Sequence, residues 1–545
     1  MEERYPLEDP SVAGGGENRV AKILKRYRSA TQIRDNFKPL FQDVYDYCLP
    51  GRIGWDPNPA GVSLTDKIFD ETAVVGIQEF ASRLQAGLVP NFARWADLKT
   101  GVETDPEIKH EVDQHLDAVT DYVFEVINSS NFSQEVSESF LDLAVGTGCL
   151  LVEEGDAINP IRFNAVPLPH VVLDSGPDDQ IDHIFRVRKM RYSDLFIMWP
   201  KAQLPPECII EAEKEPDKKI EVLEATMRMR EVRNEEAWKY CVILTSKKAM
   251  IFEQEFKGIG SCPWIIFRWA KAAGEIFGRG PALNALAAIK TCNLTIELIL
   301  ENAQISMAGI WQADDDGTIN TDTVVLEPGV VIPRIPGGKG LEPLQAPGKF
   351  DVAELVLGDM RANIRKALYN ETLGKPEGTP MSATEVAERM ADLSRQIGSA
   401  FGRLQAEFVQ PVLKRVIHIL KKQGRINIPS VNGREIKVQA ESPLARAQLQ
   451  QDITQLSRYL ELIGGVFGPQ MLMMVVKGDK TAEYLAQKFG IPTDLIRSEV
   501  EKQQMAAGIA QLASQAQDPG MPEAGGEAPL AGGEAPPTGG GLLPQ

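Results

Sequence analysis

The chain has 545 residues, of which 43% are hydrophobic and 25% charged, a composition that excludes wholesale disorder and allows a sizeable buried core. At about 100–200 residues per domain, this length predicts about three or four domains or one large elongated body. The 58 basic and 76 acidic residues leave a formal net charge of −18, which argues against a protein that binds nucleic-acid phosphates over a broad face. Loose passage of DNA remains compatible with that charge.

The termini and cysteines indicate a protein made and kept in cytoplasm. The six cysteines lie far apart without a CxxC pair, which fits neither a disulfide framework nor a zinc knuckle. The N-terminus has no apolar signal-peptide region, and no run of eighteen uninterrupted apolar residues occurs. We therefore expect no membrane partner.

The first half of the chain, residues 1–277, is predicted to be α+β. Apolar periodicity predicts helices over 19–49, 69–88, 106–127 and 133–144. From Gly146 to about residue 270, short β-rich runs separated by Gly, Pro and Asp predict a meander of strands. A charged helical segment over 208–236 is expected to interrupt it.

A long helical hairpin follows. Residues 278–309 form a helix that is apolar around most of its circumference, which predicts burial among other protein. A strand-like and turn-rich insertion, 310–350, separates it from a second helix, 351–369. This order predicts two antiparallel helices with a compact element at their end.

The remainder is predicted to be mostly helical. After a Gly/Pro loop at 370–380, Ser382 and Glu385 form a capping box that begins a helix bent at Gln410-Pro411. That helix and the strands after it occupy 381–440, and further helices fill 441–513. The Gly- and Pro-rich tail, 514–545, is predicted to be disordered.

No catalytic residue, cofactor or metal site is predicted. Gly146 and Gly148 imitate the glycine-rich loop of a methyltransferase, but a helix precedes them and a strand follows, which inverts the order that cofactor binding requires. The chain lacks GxxxxGK[ST], so it should not hydrolyse ATP by that loop. His170 and His183 stand near several aspartates, yet acidic turns between strands are usually only solvated.

Taken in order, these parts resemble the head-to-tail connector, or portal, proteins of short-tailed bacteriophages. The likeness rests on five segments that span almost the whole chain: FDETAVVGIQEFASRLQAGLVP (69–90), VGTGCLLVEEG (145–155), IFGRGPALNALAAIKTCN (276–293), MSATEVAERM (381–390) and ESPLARAQ (441–448).

The resemblance implies an α+β, mostly helical ring subunit with named parts. Residues 1–277 would be the wing, 278–309 and 351–369 the stem helices, and 310–350 the clip. A tunnel loop at 370–380 would face the channel, 381–440 would return to the wing, and 441–513 would form the crown. The acidic Gly/Pro tail matches none of these parts.

The resemblance also implies a function without catalysis. A ring, typically a dodecamer, would stand at one capsid vertex of the virion after assembly in the host cytoplasm. Double-stranded DNA would be packaged through it by the terminase large subunit and later ejected. Its other partners would be the tail adaptor, the major capsid protein and the scaffolding protein.

Site residues follow from this assignment. The tunnel loop comprises Asn370, Glu371, Thr372, Leu373, Gly374, Lys375, Pro376, Glu377, Gly378, Thr379 and Pro380. The candidate contacts to the DNA backbone are Arg361, Arg365, Lys366 and Lys375. In the clip, Arg334, Lys339 and Glu342 are the candidates for docking terminase and adaptor.

Physical reasoning supports a ring independently of the resemblance. A stem helix apolar around most of its surface is unstable in a monomer, whereas a ring gives each helix neighbours on both sides. Acidic channel walls would also let DNA slide, because every neutralised phosphate adds affinity that must be broken at each step. Two alternatives remain open: an S-adenosylmethionine-dependent methyltransferase built on Gly146–Gly148, and a capsid or scaffold protein without a channel.

Overall fold

The computed structural model describes residues 16–52, 54–55, 65–99, 106–230, 236–308, 311–312, 342–343, 350–370, 397–427, 437–440, 456–468, 474–489 and 505. The chain divides into two units, Met1–Thr493 and Asp494–Gln545. In the second unit the described part is Met505, which is helical and exposed.

The helices agree closely with the pattern of apolar residues. They are α1 (Gly16–Cys48), α2 (Thr72–Leu88), α3 (Pro106–Ser129), α4 (Phe132–Val145), α5 (Tyr192–Met198), α6 (Pro206–Lys214), α7 (Pro281–Ala308), α8 (Phe350–Ala367), α9 (Gly398–Leu404), α10 (Gln410–Lys422), α11 (456–467) and α12 (Gly478–Phe489). The four predicted N-terminal helices and both helices of the hairpin are confirmed, with ends shifted by at most three residues. The capping box at Ser382 lies outside the described residues.

The strands confirm the predicted meander and correct one helix. They are β1 (Ala96–Lys99), β2 (Thr147–Glu154), β3 (Ile161–Ala165), β4 (Val171–Ser175), β5 (Ile181–Arg191), β6 (Lys219–Arg228), β7 (Ala237–Leu244), β8 (Ala249–Lys257), β9 (Trp264–Arg268), β10 (Trp311–Gln312), β11 (Glu342–Pro343) and β12 (Lys437–Ala440). The helix predicted over 208–236 is wrong beyond Lys214. Pro216 disfavours further helix, and β6 then buries Ile220 and Val222 on alternate positions.

Two antiparallel sheets contain most of the strands between Thr147 and Arg268. One has five strands in the order β4-β5-β6-β7-β8, which is a simple meander. The other has three strands in the order β3-β2-β9, so the central strand β2 pairs with one strand adjacent in sequence and with one far along the chain. Strand β12 returns to pair with β1.

Helix α1 connects two hydrophobic cores. Its first half buries Val20, Ile23 and Leu24 against the five-stranded sheet. Its second half buries Phe41 and Tyr45 in the main core, to which α7, α8, α9 and α10 also contribute. One long helix thereby ties the five-stranded sheet to the base of the hairpin.

The predicted irregularity at Gln410-Pro411 takes the form of a π-helical turn. Residues Gln405–Val409 are π-helical between α9 and α10. Pro411 has no backbone N–H to donate, so the regular hydrogen-bond ladder cannot continue through it. The wide turn places Glu407 against strand β9.

Candidate functional site

The hairpin of α7 and α8 is the part of the fold most relevant to a channel. Beyond the ends of the two helices, Trp311–Gln312 and Glu342–Pro343 form a short antiparallel ladder. Because this ladder joins the end of α7 to the start of α8, the two helices run antiparallel. Both helices contribute to the main core, α7 through Ile289 and Cys292 and α8 through Leu357 and Ile364.

Three glycines fix the start of α7 to the segment between α4 and β2. Gly146 and Gly278 approach each other, and Gly280 approaches Ala144, so closely that a Cβ on any of the three glycines would collide with the backbone of the facing segment. The Gly280 N–H donates to Val145 O at 2.9 Å, and the Gly278 N–H donates to Thr147 Oγ1 at 2.8 Å. The stem therefore begins at a close backbone-to-backbone junction.

This junction explains the glycines that resemble a cofactor loop. Gly146 allows the close approach of Gly278, and a Cβ on Gly148 would strike the buried ring of Phe267. Asp142, just before them, is fully buried and accepts hydrogen bonds from Tyr45 and Arg52. Burial raises the pKa of Asp142, partly offset by Arg52 and Tyr45. The segment is packed core with no room for a cofactor.

A polar brace, which we define as Asp70, Asn293 and Arg361, links α7, α8 and the segment before α2. The Asn293 side-chain oxygen accepts the backbone N–H groups of Phe69 at 2.8 Å and of Asp70 at 3.0 Å. Asp70 is buried, and its Oδ2 accepts Arg361 Nε at 2.7 Å. The brace thus satisfies backbone and side-chain groups from three segments at once.

The brace also sets the protonation state of Asp70. Burial by itself raises the pKa of this carboxyl, but hydrogen bonds from Thr72 and Arg361 outweigh burial and leave the pKa below its ordinary value. Asp70 is therefore an anion near neutral pH, opposite the cationic Arg361. Neither Asn293 nor Asp70 was predicted from the sequence as a site residue, although they lie in the segments 276–293 and 69–90 that carry the resemblance.

Helix α8 ends in a motif that fixes the start of the predicted tunnel loop. Tyr369 has φ +58°, a left-handed conformation, and the Asn370 N–H donates to Arg365 O at 2.8 Å. The Asn370 side chain donates to Gly76 O at 2.9 Å, and Arg83 donates to Asn370 O at 2.7 Å. Asn370 is therefore a buried anchor on α2, whereas the rest of the loop, 371–380, lies outside the described residues.

The predicted DNA contacts differ in their surroundings. Arg361 belongs to the brace, although 42% of its side chain is exposed. Arg365 and Lys366 are exposed near the end of α8, and their side chains make no hydrogen bond or ion pair to other described residues. Lys375 lies outside the described residues. The role of these cations at a nucleic acid stays a prediction.

The predicted docking residues of the clip are only partly placed. Glu342 lies in β11, opposite Gln312 of β10. Arg334 and Lys339 fall outside the described residues. Their proposed role in docking is not tested by the fold.

Helix α7 is unusually apolar for its degree of burial. Over Pro281–Gln304 it is, by length and composition alone, long and apolar enough to cross a membrane, while 28% of this stretch is buried. A single helix of this kind is weak evidence for a membrane, because a helix buried between protein subunits has the same composition. Its exposed apolar residues require another explanation.

The comparisons with known proteins address the whole chain. Residues 20–496 match the family model of the bacteriophage head to tail connecting protein. A probable portal protein of Bordetella phage BPP-1 is 22% identical over 544 residues, which covers 91% of this chain and 94% of that protein.

Two solved structures are also similar to this chain. One is the virion of a native gene transfer agent particle, with a TM-score of 0.35, 12% identity, and coverage of 80% of this chain and 95% of that one. The other is the neck of an empty gene transfer agent particle computed with C6 symmetry, with a TM-score of 0.34, 13% identity, and coverage of 82% and 98%. Because the family model extends over most of the sequence, from the first helix to beyond α12, this chain belongs to the bacteriophage head-to-tail connecting proteins and is a structural component of the virion at the head-tail junction.

Proposed function

We propose that copies of this chain form a closed ring, a dodecamer, that serves as the portal of the capsid. The terminase would drive double-stranded DNA through its central channel during packaging, and the DNA would leave by the same route. The observation that carries this proposal is helix α7, which is apolar over Pro281–Gln304 yet largely unburied in one chain. Neighbouring copies in a ring would cover that surface.

The charge distribution supports transient contact with DNA. The formal net charge of −18 disfavours tight binding of phosphates, while Arg365 and Lys366 are exposed where α8 ends. With Arg361 and Lys375, they would touch the DNA backbone briefly as it passes. The tunnel loop at 370–380 would extend from the Asn370 anchor toward the channel.

The clip and crown would provide docking surfaces. Terminase would bind the clip during packaging, and the tail adaptor would replace it afterwards, with Arg334, Lys339 and Glu342 as candidate contacts. Major capsid and scaffolding proteins would surround the ring during assembly. In this role the chain has no catalytic activity of its own.

Electron microscopy of the purified full-length chain, combined with mass photometry, tests the proposal. Closed rings with a central hole and about twelve copies are expected, since heterologous contacts close when the rotation per copy divides a full turn. Shells or sheets would instead favour a capsid or scaffold protein without a channel. A stable monomer or dimer would overturn the portal assignment.

A further inference from the structure

The outer face of helix α7 is an uncharged stripe. Asn284, Ala287, Thr291, Leu294 and Leu298 are all exposed and recur every three or four residues, so they lie on one side of the helix. Leu294 and Leu298 are each 55% exposed. A surface without cations does not suit a nucleic-acid backbone, and its leucines favour protein as the covering partner.

Helix α8 also exposes two apolar side chains. Leu355 is 72% exposed and Val356 is 39% exposed, whereas Leu357 is buried in the main core. Leu355 and Leu357 lie about 200° apart around a helix of 3.6 residues per turn. Because α7 and α8 pack on each other through their buried sides, their exposed faces point away from each other.

The exposed apolar side chains of α7 and α8 lie at the same height along the hairpin. Arg361 of α8 hydrogen-bonds Asp70, and Cys292 of α7 lies beside that pair, which fixes the register of the two helices. Leu298 lies six residues beyond Cys292 toward the far end of the hairpin. Leu355 lies six residues from Arg361 in the same direction. Both helices rise by about 1.5 Å per residue, so these leucines are level.

In a cyclic assembly, the two surfaces that meet between neighbouring copies must lie at the same height and on opposite sides of each copy. Rotation about an axis parallel to the hairpin keeps each residue at its height and brings one side of a copy to the other side of the next. We propose that Leu294 and Leu298 of one copy pack against Leu355 and Val356 of the adjacent copy. This inference rests on the proposed ring and adds which faces meet and in which register.

Cross-linking between singly substituted chains tests the interface. Leu298→Cys and Leu355→Cys, one of them carrying an affinity tag, are co-expressed and treated with a short bismaleimide. A cross-linked pair containing one chain of each kind is expected, while each variant alone should give none, because the contact is heterologous. Wild type sets the background from the native cysteines, which are buried except for the half-buried Cys262.

Control variants distinguish a failure of the proposed interface from a failure of ring formation. Ile158→Cys, at an 86% exposed position in the turn between β2 and β3, should not cross-link to Leu355→Cys. Cross-linking of Leu298→Cys to itself would indicate face-to-face pairing and overturn the proposal. Rings without the mixed product would also overturn it while leaving the portal function intact, and the absence of rings would overturn both.

A charge substitution provides a second readout. Leu298→Asp should abolish rings without changing the circular dichroism of the chain, because a carboxylate would be buried between copies. Ile158→Asp should leave rings intact. Rings that persist in Leu298→Asp would contradict the proposed contact.

Discussion

Arg361 shows how the surroundings of a side chain change its interpretation. From sequence it is one of several cations that face a channel, yet its Nε lies 2.7 Å from Asp70 Oδ2. That bond joins α8 to the segment before α2, and Asn293 of α7 holds the backbone of the same segment. Arg361 therefore positions the stem helices, whatever contact its exposed remainder makes.

Replacing Arg361 by Gln should loosen the brace. Losing a charge-assisted hydrogen bond to a buried carboxylate costs about 2 kcal/mol, a value that allows for the partial exposure of Arg361. Hydrogen exchange of the Thr72 amide, which donates to Asp70 Oδ1, should become faster at neutral pH. Lys366→Gln, at an exposed position on the same helix, is the matched control and should leave this exchange unchanged.

The effect of Arg361→Gln should depend on pH with a definite sign. The pKa of Asp70 in the folded chain is below its ordinary value of 3.8, so the anionic form stabilises the fold above that pH. This contribution declines as the pH falls below 3.8, where Asp70 is protonated first in the unfolded chain, and it is lost as the pH passes the lower pKa of the folded chain. The difference in melting temperature between wild type and Arg361→Gln should therefore narrow at pH 3, and an unchanged difference would contradict the brace.

Gly148→Val distinguishes a packing glycine from a cofactor glycine. The new side chain would strike Phe267, which is itself held against Phe408 with ring centroids 4.6 Å apart. Overpacking of this kind costs about 1–3 kcal/mol, so the melting temperature should fall. Gly402→Ala, at a helical glycine with open space around it, should be neutral or slightly stabilising.

Titration calorimetry with S-adenosylmethionine tests directly whether Gly148 belongs to a cofactor site. Wild type should not bind S-adenosylmethionine, because a helix precedes Gly146 and the space around Gly148 is filled. Binding by wild type that is lost in Gly148→Val, without loss of folding, would revive the methyltransferase interpretation.

At the scale of elements, periodicity predicted what is local and missed what depends on distant contacts. Helices α2, α3, α4, α7 and α8 follow directly from their apolar spacing, and the strands from β2 to β5 follow from β-rich runs between turn residues. Strand β6 was mistaken for helix because its charged neighbours resemble a solvated helix face. Its strand conformation is determined by pairing with β5 and β7.

The same distinction between local and distant contacts applies to the candidate functional site. The hairpin and the loop after it were predictable from order alone, but the brace and the Asn370 anchor were not. Asn293 and Asp70 are more than 200 residues apart in sequence, as are Asn370 and Gly76, and no periodicity links such pairs. Only the packing of α2 against both α7 and α8 brings them together.

The π-helical turn before α10 covers one edge of the three-stranded sheet. Glu407 accepts the backbone N–H of Arg268 at 3.0 Å and binds its guanidinium through both oxygens, at 3.1 and 2.6 Å. Arg268 is buried at the end of β9, an edge strand of the three-stranded sheet. Side-chain capping of an edge strand satisfies groups that would otherwise be available for wrong pairing.

Glu407→Ala should destabilise the wing strongly. Removing one partner leaves a buried cation uncompensated, which costs about 3 kcal/mol. The midpoint of urea unfolding should fall, whereas Glu125→Ala on the exposed side of α3 should have little effect.

A double substitution tests the cause of that loss. Arg268→Met combined with Glu407→Leu removes both charges and should recover most of the stability. A double variant as unstable as Glu407→Ala would show that the geometry of the π turn, and not the ion pair, maintains the edge.

At the scale of the whole molecule, Asn370 marks the end of the well-anchored base of the hairpin. On one side, the glycine junction, the brace and the α8 terminus fix the stem to the wing through backbone contacts and buried polar groups. On the other side begins the loop proposed to face DNA. Assembly and DNA passage should therefore be separable functions of different residues.

Deletion of Gly374–Gly378 tests this separation. The deletion removes part of the proposed tunnel loop and Lys375, but leaves Asn370, the brace and the outer stem faces in place. Rings should form in normal number by electron microscopy, while DNA packaging or retention in assembled heads should decrease.

A second variant shows whether the Asn370 anchor or the loop after it is needed for ring formation. Asn370→Ala removes the hydrogen bond to Gly76 O, and it should lower the melting temperature modestly, by the loss of about 1 kcal/mol. Loss of rings in the loop deletion, but not in Asn370→Ala, would mean that the loop holds adjacent copies together. Normal packaging by rings that lack the loop would place the contact with DNA elsewhere, with exposed Arg365 and Lys366 as the remaining cations at the end of α8.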